Sequence, residues 1–313
     1  MADGSTRVVL AALAGNLAIA VTKVVAFAFT GSSAMLTEAI HSLVDTGDQV
    51  LLLVGQKRAA RPPDETHPLG YGMETYFWSF IVSLMVFLLG GVVSIYEGVH
   101  KLQHPEPIRQ AWINALVLGF SLVFEGASFT AAYREYRRIV RGRNIRLWGY
   151  LKGSKDPNIF AVLLEDGAAM TGLAIAAVGV GAASLLGWAW ADAVASIMIG
   201  GLLMCVAFFL ANESRSLIAG EAAAPDIVEK VRGIIDGDSR VQRTDELLSL
   251  HLGPKSIFFA ITLRFREALS SAEVQQAAVD LGEKVKTADE RIGFVFLRPS
   301  LSPGRGTASP TAG

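Results

Sequence analysis

His41 and Asp45 stand four residues apart in an apolar stretch, 34–55, whose only other charges are Glu38 and Asp48. In a helix an i, i+4 pair shares one face, so an imidazole nitrogen and a carboxylate oxygen would be presented side by side. That donor pair suits a divalent transition metal such as Zn²⁺. A charge at mid-bilayer costs roughly 2.5–3.5 kcal/mol on insertion scales, so a membrane helix keeps one only where it faces a cavity, a partner or an ion. Glu38, His41, Asp45 and Asp48 follow steps of three, four and three and so make one polar stripe. Glu38 and Asp48, nearer the ends of the stretch, read as solvated at a pore mouth or as caps on backbone donors.

Further ionisable residues lie in other apolar stretches. Glu165 and Asp166 are adjacent within 159–180. Neighbouring helical residues diverge by about 100°, so one of the two faces a site, and Asp166 is the expected inward ligand. Glu125 is a third intramembrane carboxylate; it can complete a site, carry protons or pair with a basic group such as Lys23, which has Asn16 on its own face seven residues earlier. Asp64 and His67 form a weaker cluster in a hydrated loop. Asp192, following Trp188 and Trp190, reads as a charge at a helix N-terminus, and His100 and His104, near Glu106, as interfacial polar residues.

The elements that must position these groups are set by hydropathy. The chain has 313 residues, 51% hydrophobic and 18% charged, which describes an integral membrane protein with room for a modest soluble domain. Apolar runs of spanning length recur near 8–29, 34–56, 76–99, 111–133, 159–186 and 188–211. Six spans put both termini on one side. Lys57, Arg58 and Arg61 follow the second run. Arg134, Arg137, Arg138, Arg141, Arg143, Arg146, Lys152 and Lys155 separate the fourth from the fifth, whereas the opposite loops hold only Lys101 and Arg109. By the positive-inside bias both termini are cytoplasmic. The first run reads as a retained membrane helix, and the lack of a long presequence favours a bacterial plasma (inner) membrane. A net charge of −1 argues against nucleic acid as a partner, and the single Cys205, in an apolar run, reads as packing and excludes an intramolecular disulfide or a cysteine-cluster zinc site.

Past the sixth run the pattern turns soluble. Pro225 opens an amphipathic helix with Ile227, Val228, Val231, Ile234 and Ile235 on one stripe. Strand-like runs at 246–252 and 257–265 flank Gly253-Pro254-Lys255-Ser256. Ser270 and Glu273 make a capping box before a helix reaching about 288, and 292–297 is a last strand. The expected organisation is a six-helix transmembrane domain over 1–212, an αββαβ, ferredoxin-like cytoplasmic domain over 213–300 and a disordered tail over 301–313.

The string Gly31-Ser32-Ser33-Ala34-Met35-Leu36-Thr37-Glu38-Ala39-Ile40-His41-Ser42-Leu43-Val44-Asp45, followed by His67-Pro68-Leu69-Gly70-Tyr71-Gly72, resembles the cation diffusion facilitators, which export divalent metals. Within that family, Thr37-Glu38-Ala39-Ile40-His41, Asp156-Pro157 and Leu163-Leu164-Glu165-Asp166 resemble the subgroup that includes the mitochondrial zinc transporter of animals. The resemblance implies a homodimer exchanging metal for protons, with each protomer alternating access to a site between the second and fifth spans. It implies His41, Asp45 and Asp166 as metal ligands, and His41, Asp45 and Glu125 as candidates for proton coupling. The chain departs from the family pattern at Val162, where a fourth ligand is usual. Water, Glu165 or Glu125 can take that position.

One histidine among carboxylates suits Zn²⁺ first and also tolerates Mn²⁺, Fe²⁺ or Co²⁺, each as transported substrate, with no organic cofactor. Asp64 and His67 match the family's loop site, but Tyr71 stands at its later histidine position and Met73 where some members carry a lysine. The soluble domain offers only His251, with Thr262 and Phe296 near the other expected histidine places, so no binuclear cytoplasmic site is expected. A membrane metal sensor or scaffold without net transport is the alternative of another class. An enzyme is not expected, since no HExxH-type motif is present.

Overall fold

The computed structural model describes residues 2–104, 111–139 and 157–300. The basic residues from Arg141 to Lys155, together with Glu106, Arg109, Asp156 and the expected tail, lie outside the described residues. The chain forms two compact units, one comprising Met1–Ala60 and Glu74–Ser216, the other Arg61–Met73 with everything from Leu217 onward. The second boundary falls four residues later than the expected domain edge, and the loop 61–73 belongs with the C-terminal unit instead of the helices that flank it.

The first unit is built from α1 (Ala2–Thr30), α2 (Ser33–Ala59), α3 (Glu74–Gln103), α4 (Ala111–Ile139), α5 (Pro157–Leu185) and α6 (Ala189–Ala219). Among the described residues, Glu74–Gln103, Leu163–Leu185 and Ala189–Ala219 are long and apolar enough to cross a membrane; the apolar parts of α1 and α4, Asn16–Thr30 and Trp112–Ala127, are shorter. α2 is interrupted as an apolar run by its own charged stripe.

Local sequence explains how α2 is held. Gly31 takes a left-handed φ of 65°, and the Ser32 side chain accepts a hydrogen bond from the Met35 backbone N–H as N-cap. Lys57 and Arg58 in the last turn face the negative end of the helix dipole. α3 contains a π-helical stretch, Val86–Val92. There it meets α6 at backbone distance: a Cβ on Gly200 would lie 2.8 Å from the Gly91 carbonyl oxygen and 2.9 Å from the Ile95 nitrogen, so only glycine permits the approach. The core joins Met35 and Val44 of α2, Val86 of α3, Leu118 of α4, Leu173 of α5, and Ile199 and Leu203 of α6. Cys205, expected to pack, is exposed on α6, because helical rotation turns it away from the core that buries Leu203 and Ala207.

In the second unit α7 (Pro225–Asp236), β1 (Val241–Gly253), β2 (Ser256–Phe265), α8 (Ser271–Lys286) and β3 (Ile292–Pro299) follow in order. The sheet order is β1-β2-β3, with β2 antiparallel to β1 and parallel to β3. β2 alternates strictly: Ile257, Phe259, Ile261, Leu263 and Phe265 are buried. Ile227, Val231 and Ile235 of α7 and Ala277, Leu281 and Val285 of α8 complete that core. The Ser270–Glu273 capping box forms, with both reciprocal bonds made. β1 starts five residues before the expected strand. Its polar front end has no apolar alternation to reveal it and is carried across two register shifts by Arg243 and Arg264, both bonded to Asp245.

The loop 61–73 docks on this sheet through Gly72. A Cβ there would stand 2.3 Å from the Leu252 carbonyl oxygen, so any larger residue is excluded.

Candidate metal centre

α2 carries the polar stripe, and charged groups on α1, α4 and α5 act on it. Lys23 of α1 is fully buried and points across to α2, where its Nζ lies 3.1 Å from Glu38 Oε2 and 2.7 Å from Ser42 Oγ. Glu38 is therefore an ion-paired interior residue, not a solvated one at a pore mouth. It sits deep because α1 supplies the counter-charge and Gly172 of α5 leaves room: a Cβ at 172 would come within 2.8 Å of Glu38 Oε1. The partner considered for Lys23 in the sequence, Glu125, stands elsewhere. It is buried on α4 and acts electrostatically on both His41 and Asp45.

His41 is 1% exposed, and its Nδ1 lies 3.5 Å from Asp45 Oδ1. That contact falls short of a hydrogen bond; both ring nitrogens and Asp45 Oδ1 are buried without a hydrogen-bond partner. Buried polar atoms are almost always satisfied, and each one left unmade costs about 1–3 kcal/mol. Asp45 interacts electrostatically with Glu125, Lys23, Asp166 and Glu38, which brings the fifth helix to the pair. Glu165, expected in the sequence as the less certain ligand beside Asp166, also reaches this region. Its Oε1 is buried without a hydrogen-bond partner, and the side chain interacts with Asp48, Asp45 and Asp166.

Asp48 corrects a second expectation. It is fully buried, with neither carboxylate oxygen hydrogen-bonded. Position near the end of an apolar run suggested solvent, but the packed helices exclude it.

Lys23 is thus bonded into a set that also comprises Glu38, His41, Asp45, Asp48, Glu125, Glu165 and Asp166, six of whose eight members are carboxylates. Such a surplus of carboxylates in a low-dielectric interior favours a cation. Among the described residues, no three His, Cys, Asp or Glu side chains already converge at metal-binding distance. Sequence reasoning missed the Lys23–Glu38–Ser42 link, since nothing in helical periodicity connects residues 15 apart. The general rule that intramembrane charges need partners was the only signal that could have found it.

The loop cluster is occupied by its own structure. Asp64 Oδ1 accepts hydrogen bonds from the backbone N–H groups of Thr66 and His67 and from Thr66 Oγ1, and Tyr71 donates to Oδ2. The Tyr71 hydrogen bond, followed by those from Thr66 and His67, holds the Asp64 carboxyl well below the usual carboxylate range. The His67 ring lies tilted against Tyr71, with ring centroids 4.1 Å apart. This is an Asx-type turn, and both acceptor oxygens of Asp64 are engaged. Asp192, at the start of α6 as expected, is buried and accepts a 2.6 Å hydrogen bond from Ser32 Oγ. His100 and His104 are exposed and adjacent, and His251 is buried on β1.

A model of the cation efflux transmembrane domain matches residues 9–219, a span that includes the polar stripe of α2. The chain belongs to the cation efflux family. It is an integral membrane protein, mostly helical, with a small C-terminal sheet. Among curated relatives of the family, it is 33% identical over 298 residues to the mitochondrial proton-coupled zinc antiporter of Xenopus laevis, an alignment covering 94% of this chain and 53% of the relative. The human protein of the same name is 33% identical over 299 residues, covering 94% and 52%. The manganese efflux system protein of Bacillus subtilis is 25% identical over 248 residues, covering 78% of each. The chain thus spans about half the length of the zinc antiporters it matches.

Proposed function

We propose that this chain exports divalent metal, Zn²⁺ foremost, in exchange for protons, and that His41, Asp45 and Asp166 are the ligands of the transported ion. The observation that carries the reading is the His41–Asp45 pair itself. An imidazole with both nitrogens unbonded and a carboxylate with an unbonded oxygen are buried together, within electrostatic reach of Asp166. Metal and protons compete for these atoms, because coordination needs neutral imidazole and ionised carboxylate. Loading by metal therefore displaces protons, and protonation releases metal. Since the three side chains do not yet converge, binding draws the carboxylates toward the ring, with water in the position Val162 leaves open. A single histidine among oxygen donors makes Mn²⁺, Fe²⁺ and Co²⁺ secondary substrates.

Six spans, α1 to α6, fit this reading, with the termini on the cytoplasmic side by the distribution of Lys and Arg. The order α7-β1-β2-α8-β3 is compatible with a ferredoxin-like domain. A homodimer is supported by the edge strand β3, whose Phe296 is 57% exposed and lies beside Phe258, with ring centroids 5.4 Å apart. The Asx turn around Asp64 favours a structural role for that loop over a metal site.

The test is Zn²⁺ uptake into proteoliposomes under an imposed pH gradient. We expect uptake well above that of protein-free vesicles, collapsing with the gradient. Saturable Zn²⁺ binding without accumulation would favour a membrane sensor instead.

A further inference from the structure

His100 and His104 take no part in the proposed metal centre. Their spacing, His-x-x-x-His, is that of the two zinc ligands in helical His pairs, and it puts both imidazoles on one face of α3, one turn apart. The rings lie side by side, with centroids 5.1 Å apart and planes inclined at 32°. Both residues are exposed.

Neighbouring groups prepare the rings as donors. Tyr96, one turn earlier, stacks against His100 with centroids 6.3 Å apart. His104 is the C-cap of α3, and its backbone N–H donates to the His100 carbonyl oxygen at 3.0 Å. Its Nδ1 stands 3.4 Å from the same oxygen. A carbonyl only accepts, so the ring proton belongs on Nδ1 and the neutral imidazole presents Nε2 with a free lone pair, the tautomer in which a backbone carbonyl commonly holds metal-binding histidines. Lys101, the one charge between the two, is turned away: it is buried, and its Nζ donates to the Gly31 carbonyl oxygen at 2.7 Å. A cation at the rings meets the negative end of the α3 dipole.

The Lys101 bond also locates the pair. It ties this end of α3 to the turn before α2, and His41 lies ten residues, about 15 Å, farther along α2. The rings are therefore apart from the His41–Asp45 centre. At 30 residues, α3 is about 45 Å long against a hydrocarbon core of about 30 Å, long enough to carry its last turn out to the headgroups.

We propose that His100 and His104 form a second divalent-metal position, at the membrane face opposite the Lys57–Arg58 end of α2, where the exported ion is released. The assignment of that face to release rests on the transport reading above; the pairing of the rings does not. Two imidazoles completed by water favour Zn²⁺ over Mn²⁺, which prefers oxygen donors and stands lowest in the Irving–Williams order. This position therefore separates two ions that the central set of one histidine and carboxylates accepts together.

The purified full chain is treated with diethylpyrocarbonate, which carbethoxylates unliganded imidazole nitrogen, with and without ZnCl₂ or MnCl₂. The rate at each histidine is read by peptide mass spectrometry for wild type, His104→Gln, His100→Gln and Asp45→Ala, each checked for folding by its thermal midpoint. In wild type Zn²⁺ should slow modification of both rings several-fold, and Mn²⁺ at the same concentration should not. His104→Gln should raise the Zn²⁺ concentration that protects His100 by at least about tenfold, the lower end of what loss of even an outer-shell partner costs. His100→Gln should do the same to His104. Asp45→Ala should leave the protection of both rings unchanged. No protection at any soluble ZnCl₂ concentration would overturn the proposal. So would protection of one ring that survives loss of the other, equal protection by Mn²⁺, or protection that disappears in Asp45→Ala. Intact protection in an Asp45→Ala variant that still transports Zn²⁺ would instead refute the central site and leave the pair standing.

Discussion

Replacing Lys23 by Met removes a buried cation while keeping an unbranched apolar side chain of similar length. In the native unit its Nζ bonds Glu38 Oε2 at 3.1 Å and Ser42 Oγ at 2.7 Å, and both charged side chains are 0% exposed. Glu38 Oε1 already has no hydrogen-bond partner, so the carboxylate of a Lys23→Met variant keeps no hydrogen bond among the described residues. Removing one member of a buried pair costs about 3–5 kcal/mol, because an uncompensated charge is left behind. For a unit of this size that corresponds to a fall of about 6–20 °C in thermal midpoint. Glu38→Gln should cost a similar amount by stranding Lys23. The double variant removes both charges and should recover about 2–3 kcal/mol relative to the sum of the singles. Tryptophan fluorescence during thermal unfolding of the detergent-solubilised protein measures all four. Strictly additive losses would refute the pairing.

Two further perturbations address the C-terminal unit. Gly72→Ala drives a methyl group into the Leu252 carbonyl oxygen, 2.3 Å away, and should weaken docking of the 61–73 loop by about 1–3 kcal/mol; limited proteolysis should cut this loop several-fold faster, and an unchanged rate would contradict the contact. Hydrogen bonds from Arg291 draw the Asp289 carboxyl down to about 2, and those from Arg240 hold Asp238 below the usual range. Both folded values lie under the unfolded value of about 3.9, so the unfolded chain binds more protons in acid; this stabilisation is full above about pH 4 and lost as pH falls toward 2. Hydrogen exchange in β3, corrected for intrinsic rates, should show less protection at pH 2.5 than at pH 5. Asp289→Asn should shrink the difference, and an identical pH response in that variant would count against Arg291 as its cause.

Much of the candidate site could be read because it obeys one helix. His41 and Asp45 belong to α2, and the i, i+4 rule places them together without tertiary information. The proximity of Asp45 to Asp166 was legible only through family resemblance, since no periodicity relates two helices. What could not be read depends on how neighbours cover a face. Asp48 and Glu38 sit toward the ends of an apolar run, where water is the ordinary surrounding, but both are buried, and Lys23 of α1 bonds Glu38. The 100° argument favoured Asp166 over Glu165, yet both side chains interact electrostatically with Asp45. In the soluble unit, strict alternation made β2 plain, and Ser270 with Glu273 marked the start of α8. The front of β1 was hidden because its pairing is held by arginine and aspartate, not by an apolar pattern. The docking of the 61–73 loop follows from one glycine meeting one carbonyl far away in sequence.

The central claim is that metal moves through His41 and Asp45 at the expense of protons. Zn²⁺ entry and proton exit are to be recorded together, with a metal dye and a pH dye, in proteoliposomes of wild type and Asp45→Ala matched for protein content. Wild type should show the two fluxes rising together and in opposite directions. Asp45→Ala, still folded by its thermal midpoint, should show neither. Undiminished Zn²⁺ flux in that variant would contradict the account.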